Sequence, residues 1–245
     1  MRATDALDKA GLTSPDAIFV KQGSISVNYQ EAVSMSHRIA SKIQSMGITV
    51  GTRVAFLSPN DWRGLIFMYG LWRAGMVLVP VNVRNSPVLN AGILRQHKPS
   101  AMVYHSQVTS LAAHVKEELH SLPQWCCLDR QDDETPSLID WMAPLGSIAK
   151  DLPNDPLTPW TLYSTSGTTG SSKGVMHTHL SNYVTSVDML FSMRAHEAKR
   201  HLVVAPMTHF AGSFIFALTM TGSTHVLLDK ADPLEILQTI EKEKI

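Results

Sequence analysis

Between Ser164 and Gly174 the chain reads S-T-S-G-T-T-G-S-S-K-G, a run of hydroxyls and glycines closed by one lysine. Gly167, Gly170 and Gly174 carry no Cβ, so backbone N–H groups can turn toward an anion at close range. Ser166, Thr168 and Thr169 add short rotating hydroxyl donors, and Lys173 adds a point charge on a long stem. That set suits a polyphosphate. Gly/Ser/Thr composition also occurs in flexible surface loops. Here the apolar residues Trp160, Leu162 and Tyr163 precede the run and Val175 and Met176 follow it, so it reads as a loop joining two short strands. It is not a Walker A loop: counting from Gly167, Ser172 stands where the second glycine belongs and Gly174 where the hydroxyl belongs.

The stretch from Thr165 to Val175 resembles the phosphate-loop signature of the adenylate-forming enzymes, which comprise acyl- and aryl-CoA synthetases, luciferases and peptide-synthetase adenylation domains. Ser172 stands where the family usually has proline, a change that bears on loop stiffness more than on phosphate contacts. Leu71–Asn82 (L-W-R-A-G-M-V-L-V-P-V-N) resembles the family's helix-to-strand segment ending in Val-Pro, in the form closer to acyl-CoA synthetases. Pro206–Gly212 (P-M-T-H-F-A-G) is similar to its Pro-x-x-His-x-x-Gly segment beside the acyl pocket. The resemblance runs from about residue 15 to the last residue.

The resemblance implies an enzyme that joins a carboxylic acid to ATP, releasing pyrophosphate, and then passes the acyl group to coenzyme A. It places Thr165, Ser166, Gly167, Thr168, Thr169, Gly170 and Lys173 on the ATP phosphates, Thr165 also on Mg2+, and His209 as the catalytic residue between acyl pocket and α-phosphate. The family's Tyr-Gly-x-Thr-Glu and Thr-Gly-Asp segments, its hinge and its C-terminal domain do not occur in these 245 residues. The expectation is therefore an N-terminal, truncated portion that does not adenylate acids by itself. Two alternatives stand beside it: a non-catalytic binding protein that keeps the fold, and a peptide-synthetase adenylation domain.

Other clusters offer less. His177-x-His179 on a strand would present two rings to one face, but no third ligand follows at metal-site spacing. Asp129, Asp132, Asp133 and Glu134 lack the alternation and glycine of a calcium loop and read as a solvated turn. Tyr104, His105, Ser36 and His37 have no partner visible in sequence.

Alternating apolar and amphipathic runs must position these groups. A hairpin is expected around Gln22-Gly23-Ser24, then a helix through Met35, Ile39, Ile43 and Met46 ending at Gly47. A buried strand follows at Val54–Leu57, and Asn60 reads as the N-cap of a helix carrying Trp62, Leu65, Ile66, Tyr69 and Trp72 on one face. Further strands are expected at 76–81, 101–104 and 125–128, with helices opened by Ser86-Pro87 and spanning 108–119. After the loop come a helix at about 180–193, a strand at 202–205, a helix around Phe214, a strand at 224–228 and a helix opened by Asp232-Pro233. This is βαβ rhythm, and it implies doubly wound, mostly parallel α/β sheets with helices on both faces. The four prolines between Ala143 and Pro159 suggest a joint at 143–159 between a first lobe, 1–142, and a second, 160–245.

With 44% hydrophobic and 17% charged residues, the chain can bury a large core. Lysine plus arginine and aspartate plus glutamate balance at 21 each, so no global field recruits nucleic acid. Adjacent Cys126 and Cys127 read as reduced thiols near a strand. Asp5 and Asp8 interrupt any leader, and Phe210–Met220, the longest apolar stretch, is too short to span a bilayer. A cytoplasmic protein is expected.

Overall fold

The computed structural model describes every residue except Met1, Ser121, Asp133, Asn154 and 166–172. In chain order the elements are α1 (Asp5–Thr13), β1 (Ile18–Gln22), β2 (Ile25–Asn28), α2 (Tyr29–Ser45), β3 (Arg53–Leu57), α3 (Trp62–Arg73) and β4 (Val77–Pro80). They continue with α4 (Pro87–His97), β5 (Ala101–Tyr104), α5 (Thr109–Glu118), β6 (Gln124–Cys127), α6 (Leu138–Trp141), β7 (Pro159–Thr165) and β8 (Lys173–Thr178). The last are α7 (His179–Ser192), β9 (Arg200–Val203), α8 (Phe210–Thr219), β10 (Thr224–Leu227) and α9 (Pro233–Glu243).

Two sheets result. One has the order β6-β5-β3-β4-β7-β8 and is parallel except for the final β7–β8 hairpin. The other has the order β2-β1-β10-β9, with β1, β10 and β9 parallel and β2 antiparallel as the expected N-terminal hairpin. This is the doubly wound architecture expected from the alternating pattern.

Both sheets draw strands from each side of the proline-rich stretch, so their boundary does not fall at 143–159. β1 reaches across the sequence to pair with β10, while β7 and β8 extend the sheet begun by β3 to β6. Residues 143–150 instead run along α2: Ala143 and Lys150 exchange hydrogen bonds with Arg38 and Gln44, and the Ala149 amide donates to His37 Nδ1 at 3.3 Å, while the Pro156 and Thr158 carbonyls accept from Leu180 and His179 at the start of α7. Backbone pairing between strands some two hundred residues apart leaves no local signal, which is why prolines alone suggested a joint there.

α3 is the centre of the molecule. Its residues from Gly64 to Arg73 are buried on every side, not on the one face that helical periodicity suggested. Tyr69 sits edge-on to Phe19 of β1 and donates to Thr219 Oγ1 of α8 at 3.1 Å, Trp72 packs against Trp160 of β7, and Phe67 stacks on Phe56 of β3. Each such large side chain, fully buried, contributes about 2–3 kcal/mol. A helix that is apolar all round belongs between layers.

Local signals set the other helices. Asn28 and Glu31 form a reciprocal capping box at α2, and Gly47 follows its end at φ 69°. Ser86 and Asp232 cap α4 and α9, each with proline next. Asp61, not Asn60, caps α3: its Oδ1 accepts from the Arg63 amide at 2.8 Å.

Candidate active site: a glycine-rich hairpin and an asparagine-clamped loop

Antiparallel pairing of β7 with β8 places Thr165 directly opposite Lys173. These are the two described ends of the glycine-rich run, and the Thr165 hydroxyl donates to the Lys173 carbonyl at 3.2 Å. Both residues are exposed, and no salt bridge engages Lys173 among the described residues. An ammonium at a strand end, left without a carboxylate partner, is available to an external anion. Ser166, Gly167, Thr168, Thr169 and Gly170 lie outside the described residues.

His209, the expected catalytic residue, is the N-cap of α8, in the loop after the carboxyl end of β9. Its Nδ1 lies 2.9 Å from Thr208 Oγ1. Burial lowers its pKa, so the ring is neutral near pH 7 and carries one N–H. The turn that presents it is tight: the Gly212 amide donates to His209 O and the His209 amide to Pro206 O. A Cβ at 212 would lie 2.1 Å from Met207 O, so only glycine fits.

Asn60 holds this turn in place. Its Oδ1 accepts from the Met207 amide at 2.8 Å, and its Nδ2 faces the carbonyls of Val203, Ala205 and Leu228 at 3.1–3.3 Å. One nearly buried side chain thus joins the loop after β3 to the loops after β9 and β10. Periodicity assigned Asn60 to a helix cap because Asn60 and Asp61 are both capping residues; the carboxylate took the helix and freed the amide.

Beside Asn60 a cavity of about 80 Å³ opens at the carboxyl ends of β3, β4, β9 and β10, lined by Ser58, Asn82, Arg84, Pro206 and Thr208 among others. Two separately noticed segments, the Val-Pro-Val-Asn strand and the Pro-x-x-His-x-x-Gly turn, therefore meet at one crevice. In open α/β sheets this edge is where ligands bind.

The remaining candidates are structural. His177 lies on β8 against Tyr163, while His179 opens α7 and accepts from the Ala3 amide at 3.1 Å, so the two rings do not share a strand face. The acidic run is partly anchored and not a simply solvated turn: Asp129 accepts from the Ser106 amide and hydroxyl, and Asp132 from Tyr104 OH at 2.5 Å. His105, unassigned in sequence, faces Asp61 and Asp129 at 3.5 and 3.7 Å. Ser36 accepts from Arg73 Nε. Cys126 and Cys127 are free and buried.

Two mostly parallel sheets with helices on both faces, and a crevice at the carboxyl ends of their strands, define an α/β domain of the doubly wound class. The chain belongs to the AMP-binding enzyme family, whose sequence model matches residues 7–245. It is 30% identical over 235 residues to a feruloyl-CoA synthase of an Amycolatopsis species, covering 95% of this chain and 45% of that protein. It is 27% identical to the long-chain-fatty-acid–CoA ligase FadD13 of Mycobacterium tuberculosis, covering 90% of this chain and 43% of the ligase. The chain thus spans about half the length of the curated relatives it matches. Its fold matches the N-terminal domain of FACL13 from Mycobacterium tuberculosis, TM-score 0.89 at 22% identity, over 100% of this chain and 61% of that one. It also matches o-succinylbenzoate CoA synthetase of Bacillus subtilis, solved with its acyl-adenylate intermediate, TM-score 0.82 at 22% identity, over 98% and 60%.

Proposed function

We propose that this chain is the N-terminal part of an AMP-forming acid–CoA ligase, which activates a carboxylic acid with ATP and passes the acyl group to coenzyme A. The observation that carries the proposal is the register of Thr165 against Lys173 across the glycine- and hydroxyl-rich run 166–172. The related CoA ligases support it.

In this reading the substrate carboxylate attacks the α-phosphorus of ATP and pyrophosphate leaves. Lys173 neutralises charge gathering on the leaving group, and N–H and hydroxyl donors from Ser166 to Gly170 share that task. His209 uses its neutral N–H to orient a carboxylate oxygen. Among the described residues no group of three His, Cys, Asp or Glu side chains is arranged to hold a metal. By the family resemblance, the Thr165 hydroxyl would contribute to holding a magnesium ion bound together with the ATP phosphates. When bound, magnesium screens the phosphate charge.

Among the described residues no helix is long and apolar enough to cross a membrane. The two buried free thiols fit a reducing compartment, and we place the protein in the cytoplasm.

Equilibrium titration of the 245-residue chain with magnesium-ATP tests the proposal. Saturable binding weakened about tenfold or more by Lys173→Ala is expected, the equivalent of one charge-assisted contact. Binding equal in both proteins would remove Lys173 from the site.

A further inference from the structure

His97 ends α4 and is 2% exposed. Its place is set from two sides: Arg53 donates to its carbonyl at 2.8 Å, and Lys98 closes the helix in the left-handed region, φ 49°, with its amide on Leu94 O. The imidazole then meets the phosphate hairpin. Nδ1 lies 3.4 Å from Ser164 Oγ on β7. On β8, a Cβ built at Gly174 would lie 2.9 Å from Nε2 and 3.3 Å from Cδ2. Ser164 and Gly174 are partners in the strand register, one residue inside the Thr165–Lys173 pair. One ring therefore touches both members of the last pair before the root of the run.

Nε2 has no hydrogen-bond partner among the described residues. Leaving a buried ring nitrogen unpaired costs stability, and an apolar residue of similar size would avoid that cost. The feature that a ring here provides is shape combined with a hydroxyl contact: it fills the space beneath Gly174 while engaging Ser164.

We infer that His97 is the positioning residue of the phosphate hairpin, fixing the Ser164–Gly174 pair and thereby the point at which Thr165 and Lys173 leave the sheet. The inference rests on the reading of 166–172 as a phosphate-binding run. Gly174 belongs to the same device, its missing side chain being what admits the ring.

Amide hydrogen exchange on the 245-residue chain, resolved by residue, tests this. His97→Ala should speed exchange at 163–165 and 173–175 at least tenfold while β3 and β5 keep their protection. His97→Asn, which retains a polar atom near the Nδ1 position, should recover most of that loss. Gly174→Ala should loosen the same residues in the wild-type background and much less in the His97→Asn background, where the ring edge is gone. Unchanged β7–β8 exchange in His97→Ala, or effects at 97 and 174 that simply multiply, would overturn the inference. If His97→Ala does not fold, the Asn and Gly174→Ala pair decides it by the same criterion. The magnesium-ATP titration with Lys173→Ala runs alongside. Loss of any Lys173 dependence would sink the phosphate reading, while the exchange data still decide whether His97 holds the hairpin.

Discussion

Asn60 Oδ1 accepts the backbone amide of Met207 at 2.8 Å, and this bond ties the loop after β3 to the turn that carries His209. Its removal has consequences beyond one contact, because the same side chain also faces carbonyls after β9 and β10. Asn60→Ala leaves the buried Met207 amide and the Ala205 and Leu228 carbonyls without this partner, while Val203 O keeps the Leu228 amide, at roughly 1–3 kcal/mol for each group left unsatisfied. Urea unfolding should show a loss of about 3 kcal/mol; Asn60→Asp should fare no better, since a carboxylate cannot donate to those carbonyls. A loss below about 0.5 kcal/mol would mean that the clamp is dispensable.

The turn itself makes a sharper prediction. Gly212→Ala drives a methyl into Met207 O at 2.1 Å and should lower the melting temperature by several degrees. Gly92, inside α4 with nothing within 4 Å of its absent Cβ, is the control. There alanine should be neutral or stabilising by about 0.5–1 kcal/mol. Equal effects at the two positions would show that the close approach does not exist in solution.

Acid should destabilise the fold through buried neutral histidines. Burial, then the charges of Arg2 and the N-terminus, hold His179 at about 4, and burial alone holds His201 at about 4. Both values lie below the unfolded value of about 6.5, so the unfolded chain binds more protons in that interval. Stability is therefore intact above about pH 6.5 and falls as pH drops toward 4, by up to about 3 kcal/mol per ring. Urea midpoints measured from pH 7 to 4.5 should follow this slope. His179→Asn, whose Oδ1 can still accept from Ala3, should flatten it, and an unchanged slope would exclude His179 as a source.

The cysteines give a chemical check. Burial raises both thiols, Cys126 well above its usual range with Cys127 adding to the effect, and Cys126 is fully enclosed. Since the thiolate is the reactive form, neither should be alkylated in the native protein at a rate above that of unfolding. Both should react once urea opens the chain. Rapid native labelling of Cys126 would contradict its place in β6.

The alternating apolar and amphipathic runs made the doubly wound fold legible, while the register between its distant strands was not. Around the Thr165–Lys173 run the two flanking strands were legible from their apolar residues, and they pair as β7 and β8. Ser86-Pro87, Asp232-Pro233 and Gly47 marked helix ends by local stereochemistry. The pairing of β1 with β10 was not legible, since register between distant strands is set by packing. α1 was missed because only Leu7 and Ala10 of its residues are buried, too few to impose a period. Asn60 was misread because its partners are backbone groups, and His97 was overlooked because its neighbours Ser164 and Gly174 lie on strands far along the chain; neither leaves a local pattern in the sequence.

The central claim is that this chain supplies the phosphate hairpin of an acid-activating ligase. The measurement that meets it most directly is acid-dependent pyrophosphate release by the product of the complete reading frame, with ATP, magnesium and a panel of carboxylic acids, beside Lys173→Ala. Release stimulated by at least one acid, and reduced a hundredfold or more by the substitution, is the predicted result. A folded, complete protein that releases none with any acid, or that releases as much without Lys173, would contradict the account.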